Sequence, residues 1–471
     1  MHLKTLRSTH TSLLYAALLW LTLVVAPACH NYYDAGLEAL RSGNAAQAEQ
    51  QARKGLAEEP DDPWLNLLMA EALIAQERWA EARPYAGRAV QKRPKRPEPR
   101  VALGEALIRL NNISAGLVQW VAALEMDQGK MQPYIAEMRE LLPKGIGSAL
   151  ETDQPWAAVR MIGALRQLDP QHPDASDLKL REAREAYAQK LVRVVRYQQA
   201  ADLYGELADR WPDRPEYRLE QGALQLALEQ REAAIQTLEA WVAAATTDAD
   251  RAKHLSAAGE RAFDRNVLDL AEQYWTRALE TDPKLRSAHV NLARVHLQQR
   301  QAEQGYEHLR AYIDAAPTDP RGFEDAAQVA LDYNNGAIAL EVLEEASLKA
   351  TPDFTVTTLL ADLYQRRQRR ADMEEALQRF IDRADNDREA TLEVTEWLEK
   401  KREVELAAYH LEKAIAAGGK EDPQLWYRLA RLHAAADKPE EMEQALREYV
   451  ERSDQQLDAT MAAARLLMQK R

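Results

Sequence analysis

The sequence predicts an all-α protein, a solenoid of about twelve helical hairpins, and three observations carry that expectation. The first is a beat of small residues. Ala48 to Ala82 and Ala82 to Gly116 each span 34 residues, as do Ala271 to Gly305 and Gly305 to Ala339. Ala339 to Met373 and Met373 to Ala407 keep the same step, and Ala407 to Met442 takes 35. The second is a proline beat, Pro60 to Pro94 and Pro283 to Pro317, again 34 residues apart. A fixed period of this length marks a stack of two-helix units. The third is composition: alanine, leucine, glutamate, glutamine and arginine dominate, and all favour helix.

Taken from the amino end, residues 1–28 read as a secretory leader. They carry Lys4, Arg7 and no acid, then an apolar run from Leu13 to Ala26, then Ala26-Pro27-Ala28-Cys29. A basic start, a short apolar stretch and small residues before a cut site form a signal. The run is shorter than the ~20 residues that span a bilayer. Residues 29–142 follow as a first array and 176–452 as a second. Between them the register slips, with 42 residues from Gly116 to Ala158 and 43 from Ala158 to Ala201. Residues 143–175, holding Pro143-Lys144-Gly145-Ile146-Gly147 and Asp169-Pro170-Gln171-His172-Pro173, are expected to be irregular or to be an extended-helix junction. Asp174 to Tyr197, free of proline and glycine, reads as one long helix. Residues 453–471 read as a capping helix that covers the last apolar face.

Within residues 252–285, Gly259 falls in a first helix and Ala271, Trp275 and Ala278 share one face of a second. Asp282-Pro283 ends it, since proline lacks an N–H and disfavours helix just before it. The pattern recurs as Gly36, Ala48 and Pro60, as Gly104, Trp120 and Ala123, as Gly222, Ala234 and Leu238, and as Ala407, Leu411 and Ala414. It resembles the tetratricopeptide repeat over nearly the whole chain after the leader. That resemblance implies a right-handed superhelix. Its first helices would line a concave groove that takes peptides or helices of partner proteins. Asn291, Arg294, Tyr427, Arg428 and Arg431 are the groove positions it suggests. The end of the leader resembles a bacterial lipobox, which implies lipidation of Cys29, although Ala26 stands where such boxes usually have leucine. Ordinary cleavage after Ala28, giving a soluble periplasmic protein, is the alternative.

Composition excludes several function classes. The chain has 471 residues, a net charge of −14 and one cysteine. A disulfide scaffold is excluded, and an acidic chain is a poor general partner for nucleic acid. None of the ten histidines lies in an HExxH motif, so no metal is expected; His289 and His296 are placed only to share a helix face. Gly145-Ile146-Gly147 lacks the third glycine and lysine of a phosphate cradle, and no nucleophile elbow exists. The expectation is therefore no enzymatic activity and no cofactor. Two basic clusters stand out: Lys92, Arg93, Lys95 and Arg96 in a turn between repeats, and Arg366, Arg367, Arg369 and Arg370 in a turn inside one. The first could touch an anionic surface; solvated turn residues are the plainer reading. The role that the tetratricopeptide resemblance implies is that of an interaction scaffold. By resemblance the chain would be an outer-membrane lipoprotein adaptor facing the periplasm and holding envelope proteins. The competing reading is a glycan- or wall-binding module using Tyr333 and Tyr427.

Overall fold

The structure, a computed structural model, describes residues 31–384, 387–453 and 457–469. Cys29 and the leader lie outside the described residues. The described residues are helical, with no strand among them. They form twelve hairpins. The first pairs the helix at 31–41 with Ala45–Glu58, the second Pro63–Ile74 with Trp79–Lys92, and the third Pro97–Arg109 with Ile113–Met126. Two short turns of helix, Gln128–Met131 and Gln132–Tyr134, lead into Ile135–Glu151 and Pro155–Leu168. Asp177–Arg193 with Tyr197–Arg210 and Glu216–Ala227 with Arg231–Ala243 are next. Six further hairpins run from Asp248–Asp264 to Pro439–Arg452, and Leu457–Gln469 follows the last.

One backbone device closes every hairpin. Gly43 and eleven non-glycine residues have φ between 55° and 77°. They are Glu77, Asn111, Asp153, Val195, Glu229, Asn266, Arg300, Asn334, Gln368, Arg402 and Asp437, one in each intra-hairpin turn. The residue after each donates its N–H to the carbonyl five residues back, as in Arg78 to Leu73, Gln301 to His296 and Lys438 to His433. All twelve of these bonds are 2.7 to 2.9 Å long. This is a left-handed helix stop that satisfies carbonyls the helix end would leave open. The first helix of the next hairpin often starts on an aspartate. Asp62 Oδ1 accepts the Trp64 and Leu65 N–H groups at 2.9 and 2.8 Å, and Pro63 takes the first helical position, where its missing N–H costs nothing. Asp319-Pro320 and Asp422-Pro423 repeat the arrangement.

Of the two breaker clusters expected in the middle, one lies in helix: Pro143, Gly145 and Gly147 fall inside Ile135–Glu151. The other, Asp169-Pro170-Gln171-His172-Pro173, does separate two helices, Pro155–Leu168 and Asp177–Arg193. Gly145 is buried facing Leu117 and Met161, a reason for a small residue there. The single long helix read over Asp174–Tyr197 is two elements: Asp177–Arg193 ends, and Tyr197 starts another. Val195 makes the turn without glycine or proline, which is why composition concealed it. The extra residues enter as longer first helices, with Ile135–Glu151, Asp177–Arg193 and Asp248–Asp264 at 17 residues each, and as longer connections before the first two of these.

The described residues divide into two compact units, one ending at Ile235 and the other starting at Gln236. In the first, Trp120 is fully buried, and its Nε1–H donates to the Val101 carbonyl at 3.1 Å. The ring fills the space over Gly104, where a methyl group would come 2.6 Å from Trp120 Nε1 and 3.0 Å from the Gly116 carbonyl oxygen. The second unit repeats this with Trp275, Gly259 and a 3.1 Å bond from Nε1 to the Ser256 carbonyl. Its apolar core runs continuously from Ala293 to Ala463, the latter in the final helix. First helices there pack side by side, from Asp248–Asp264 through Arg286–Gln298, Pro320–Asp332 and Phe354–Arg366 to Asp387–Lys400.

The second unit also buries histidines. His289 and His308 approach at 3.2 Å through their Nδ1 atoms, and His296 stacks on His308 with ring centroids 5.3 Å apart. Among the described residues no group of three or more potential ligands is placed to hold a metal ion. Burial lowers the pKa of His289 and His433, and lowers His308 and His410 to about 4. The neighbouring imidazoles add to the effect at His308, and Lys413 adds to it at His410.

Three outcomes follow from this packing. Val195→Gly removes a β-branched side chain from a left-handed position and should stabilise the chain by about 1 kcal/mol in urea unfolding. Gly104→Ala should destabilise it by about 1–2 kcal/mol, because overpacking outweighs the ~1 kcal/mol helix-propensity gain. The lowered histidines bind protons more readily when unfolded, at about pH 6.5, than when folded. Their contribution is present above about pH 6.5 and is lost as pH falls towards 4. The melting temperature should therefore fall more steeply over that window in the wild type than in a His308→Gln/His410→Gln variant.

Candidate functional site

In the first unit, the first helices of three successive hairpins line a pocket of about 550 Å³. Leu37, Leu40 and Arg41 come from the first hairpin, Glu71 and Ile74 from the second, and Glu98, Val101 and Glu105 from the third. Lys130, Pro133 and Tyr134 close it from the short turns that follow. Its volume lies within the range of small-ligand and side-chain pockets, about 300–1,000 Å³. Its walls are apolar, and three carboxylates converge on it.

Each carboxylate sits differently. Glu105 accepts a hydrogen bond from the Tyr134 hydroxyl at 3.1 Å. That ring packs on Trp120 with centroids 4.9 Å apart, and burial together with the Glu105 charge raises the tyrosine pKa. Glu98 directs Oε1 towards Arg96 at 3.4 Å and Lys130 at 3.7 Å, while its Oε2 is buried with no hydrogen-bond partner among the described residues. Glu71 keeps part of its surface open to the pocket, but its carboxyl is enclosed. Burial, reinforced by the charge of Glu98, raises its pKa to about 7; Lys130 opposes this only weakly. Sequence reading passed over all three glutamates, since carboxylates are abundant in an acidic helical chain. The signal available was their spacing: Glu71 to Glu105 is one 34-residue period, so the two occupy matching positions on neighbouring first helices.

The expected groove residues lie on first helices but do not form one site. Asn291 and Arg294 share Arg286–Gln298, where Asn291 is buried and its Oδ1 accepts from Arg294 at 3.3 Å. Tyr427, Arg428 and Arg431 lie four hairpins on, in Pro423–Ala435. Arg428 is held by Glu399 at 2.6 Å, Tyr427 packs on Tyr449 with centroids 4.9 Å apart, and Arg431 is exposed. Tyr333 is half-buried against the core.

The basic clusters fall in the turns where the period puts them, and much of their charge is engaged. Lys92 pairs with Asp61 at 2.9 Å, and Arg93 and Arg96 lie over the Trp64 ring at 5.8 and 5.2 Å. Lys95 is exposed, with no ionic partner among the described residues. In the other cluster Arg369 meets Asp372 at 2.8 Å and Arg370 meets Glu374 at 2.9 Å. Among the described residues, no helix is long and apolar enough to cross a membrane.

Comparison with known proteins agrees with this architecture. Two family models, both described as tetratricopeptide repeat, match the chain, one at residues 39–84 and the other at 67–130, 188–249 and 256–320. No curated protein matches it. A solved tetratricopeptide repeat protein from Parabacteroides merdae is 14% identical, with 54% of this chain and 96% of that one covered and a TM-score of 0.30. MamA from Desulfovibrio magneticus is 19% identical, with 38% and 94% covered and a TM-score of 0.27. The Cut9–Hcn1 structure is 12% identical, with 95% and 91% covered and a TM-score of 0.24. At these values none bears on what this chain binds. The 34-residue hairpins, their buried glycine–tryptophan contacts and the family matches together make the chain a member of the tetratricopeptide-repeat family, a fold that serves as a protein–protein interaction scaffold.

Proposed function

We propose that this chain is a non-catalytic, lipid-anchored adaptor of the bacterial cell envelope, attached to the outer membrane, facing the periplasm and holding partner proteins on its first-helix face. The observation that carries the envelope reading is the position of Cys29. The only cysteine of the chain follows Ala26-Pro27-Ala28 at the end of a short apolar run. A thiol used nowhere else has a role there as an acylation site. Each buried methylene of an attached chain contributes about 0.8 kcal/mol, so several chains on one cysteine would hold firmly. The scaffold reading rests on the layer of first helices and its open pocket.

Alkyne fatty-acid labelling of cells producing the full chain tests the anchor. The wild type should be labelled and sediment with membranes, while Cys29→Ser should be unlabelled and released. Equal labelling, or unchanged retention of Cys29→Ser, overturns the anchor. A cross-linked pull-down through a C-terminal tag tests the adaptor role. A near-stoichiometric envelope protein is expected, and recovery of wall polysaccharide alone would replace this reading with a glycan-binding one.

A further inference from the structure

We infer that the pocket of the first unit is a receptor for a basic side chain, an arginine on an extended segment of a partner protein, held between Glu71 and Glu98. The inference rests on the scaffold reading and gives its partner a chemistry.

Two features of the pocket are incomplete as they stand. Glu98 Oε2 is buried and accepts no hydrogen bond from any described residue. A buried acceptor left open is unfavourable, because it has given up water without gaining a donor. Glu71 is enclosed, has no described donor and faces a second carboxylate, so it holds its proton to about pH 7. A cation placed between the two resolves both features, supplying N–H donors and cancelling the repulsion. The cations already present leave both features in place. Arg96 and Lys130 stand 3.4 and 3.7 Å from Oε1 of Glu98 and do not satisfy Oε2, and Arg41, at the pocket wall, lies 3.9 Å from Glu38. A metal ion is a poor occupant, since no cluster of three or more ligands is placed for one among the described residues.

The shape narrows the occupant further. The pocket exceeds one side chain in size, and Leu37, Leu40, Ile74 and Val101 give it apolar walls. A segment with an arginine beside an apolar residue fills it, with the stem of the arginine along the walls and its head at the carboxylates. Arginine suits the place better than lysine, because its planar fork donates to two carboxylates at once. The Tyr134–Glu105 hydrogen bond stays intact in this arrangement and holds the floor of the pocket.

A random dodecamer peptide library displayed on phage and panned against the full-length chain tests the assignment. Selected peptides should carry an arginine next to an apolar residue. Replacing that arginine by citrulline, which keeps its shape and removes its charge, should weaken binding at least tenfold. Glu71→Gln/Glu98→Gln should do the same while leaving the melting curve cooperative. Peptides that bind equally well with citrulline, or to the double variant, overturn the receptor and leave the scaffold standing. A library that yields no binder overturns both. The citrulline exchange leaves the protein untouched, so it discriminates even if the double variant folds poorly.

Discussion

The fold depends on twelve left-handed turns. Each hairpin needs its two helices to reverse direction within three or four residues, and a single residue with positive φ does this while its neighbour's N–H caps the preceding helix. Everything else follows from that fixed reversal. It sets the face each helix presents, so small residues such as Gly104, Gly116 and Ala271 meet across the pair, and a tryptophan can lie over a glycine with its indole N–H bonded to a backbone carbonyl. Glycine would be the unstrained choice at such positions, yet it occupies one of the twelve. Asparagine and aspartate, which tolerate the conformation, occupy five. The remaining six are exposed side chains at the tip of the turn, and the helix-end hydrogen bond that each turn makes offsets the local cost.

The period of the sequence recovers most of this architecture because hairpins stack on neighbours alone, and each must present similar small residues at similar places. Ala48, Ala82, Gly116, Ala271, Gly305 and Ala339 mark real second helices for that reason. The expectation of one helix over Asp174–Tyr197 had a physical cause. A turn built on Val195 has no compositional mark, since the left-handed state comes from the flanking helices and not from the residue. Prolines misled in the other direction at Pro143, which sits within a helix.

The site was less legible than the fold. The groove positions that the resemblance implies carry basic and aromatic side chains, and the structure engages several of them locally, Arg428 with Glu399 and Tyr427 with Tyr449. The pocket instead uses common residues made unusual by enclosure. Glu71 resembles the other glutamates of the chain until a second carboxylate and three helices surround it. Enclosure of this kind depends on which helices meet, information that a one-dimensional period carries only as the equivalence of Glu71 and Glu105.

The hairpins differ in length chiefly at the entry to a first helix. Where residues are added there, they extend the amino end of a first helix, as in Asp248–Asp264, or fill the connection before it, while the intra-hairpin turn keeps to three or four residues. The stack thus has two kinds of joint, one rigid and one permissive. The permissive joint between Ala243 and Asp248 is exposed over most of its length, and the helix it leads into, Asp248–Asp264, is already longer than the next first helix, Arg286–Gln298. An epitope or fluorescent module spliced between Thr246 and Thr247 would lengthen a connection and leave every helix pair in register, whereas the same insertion beside Asn266 would separate the two helices that define a hairpin.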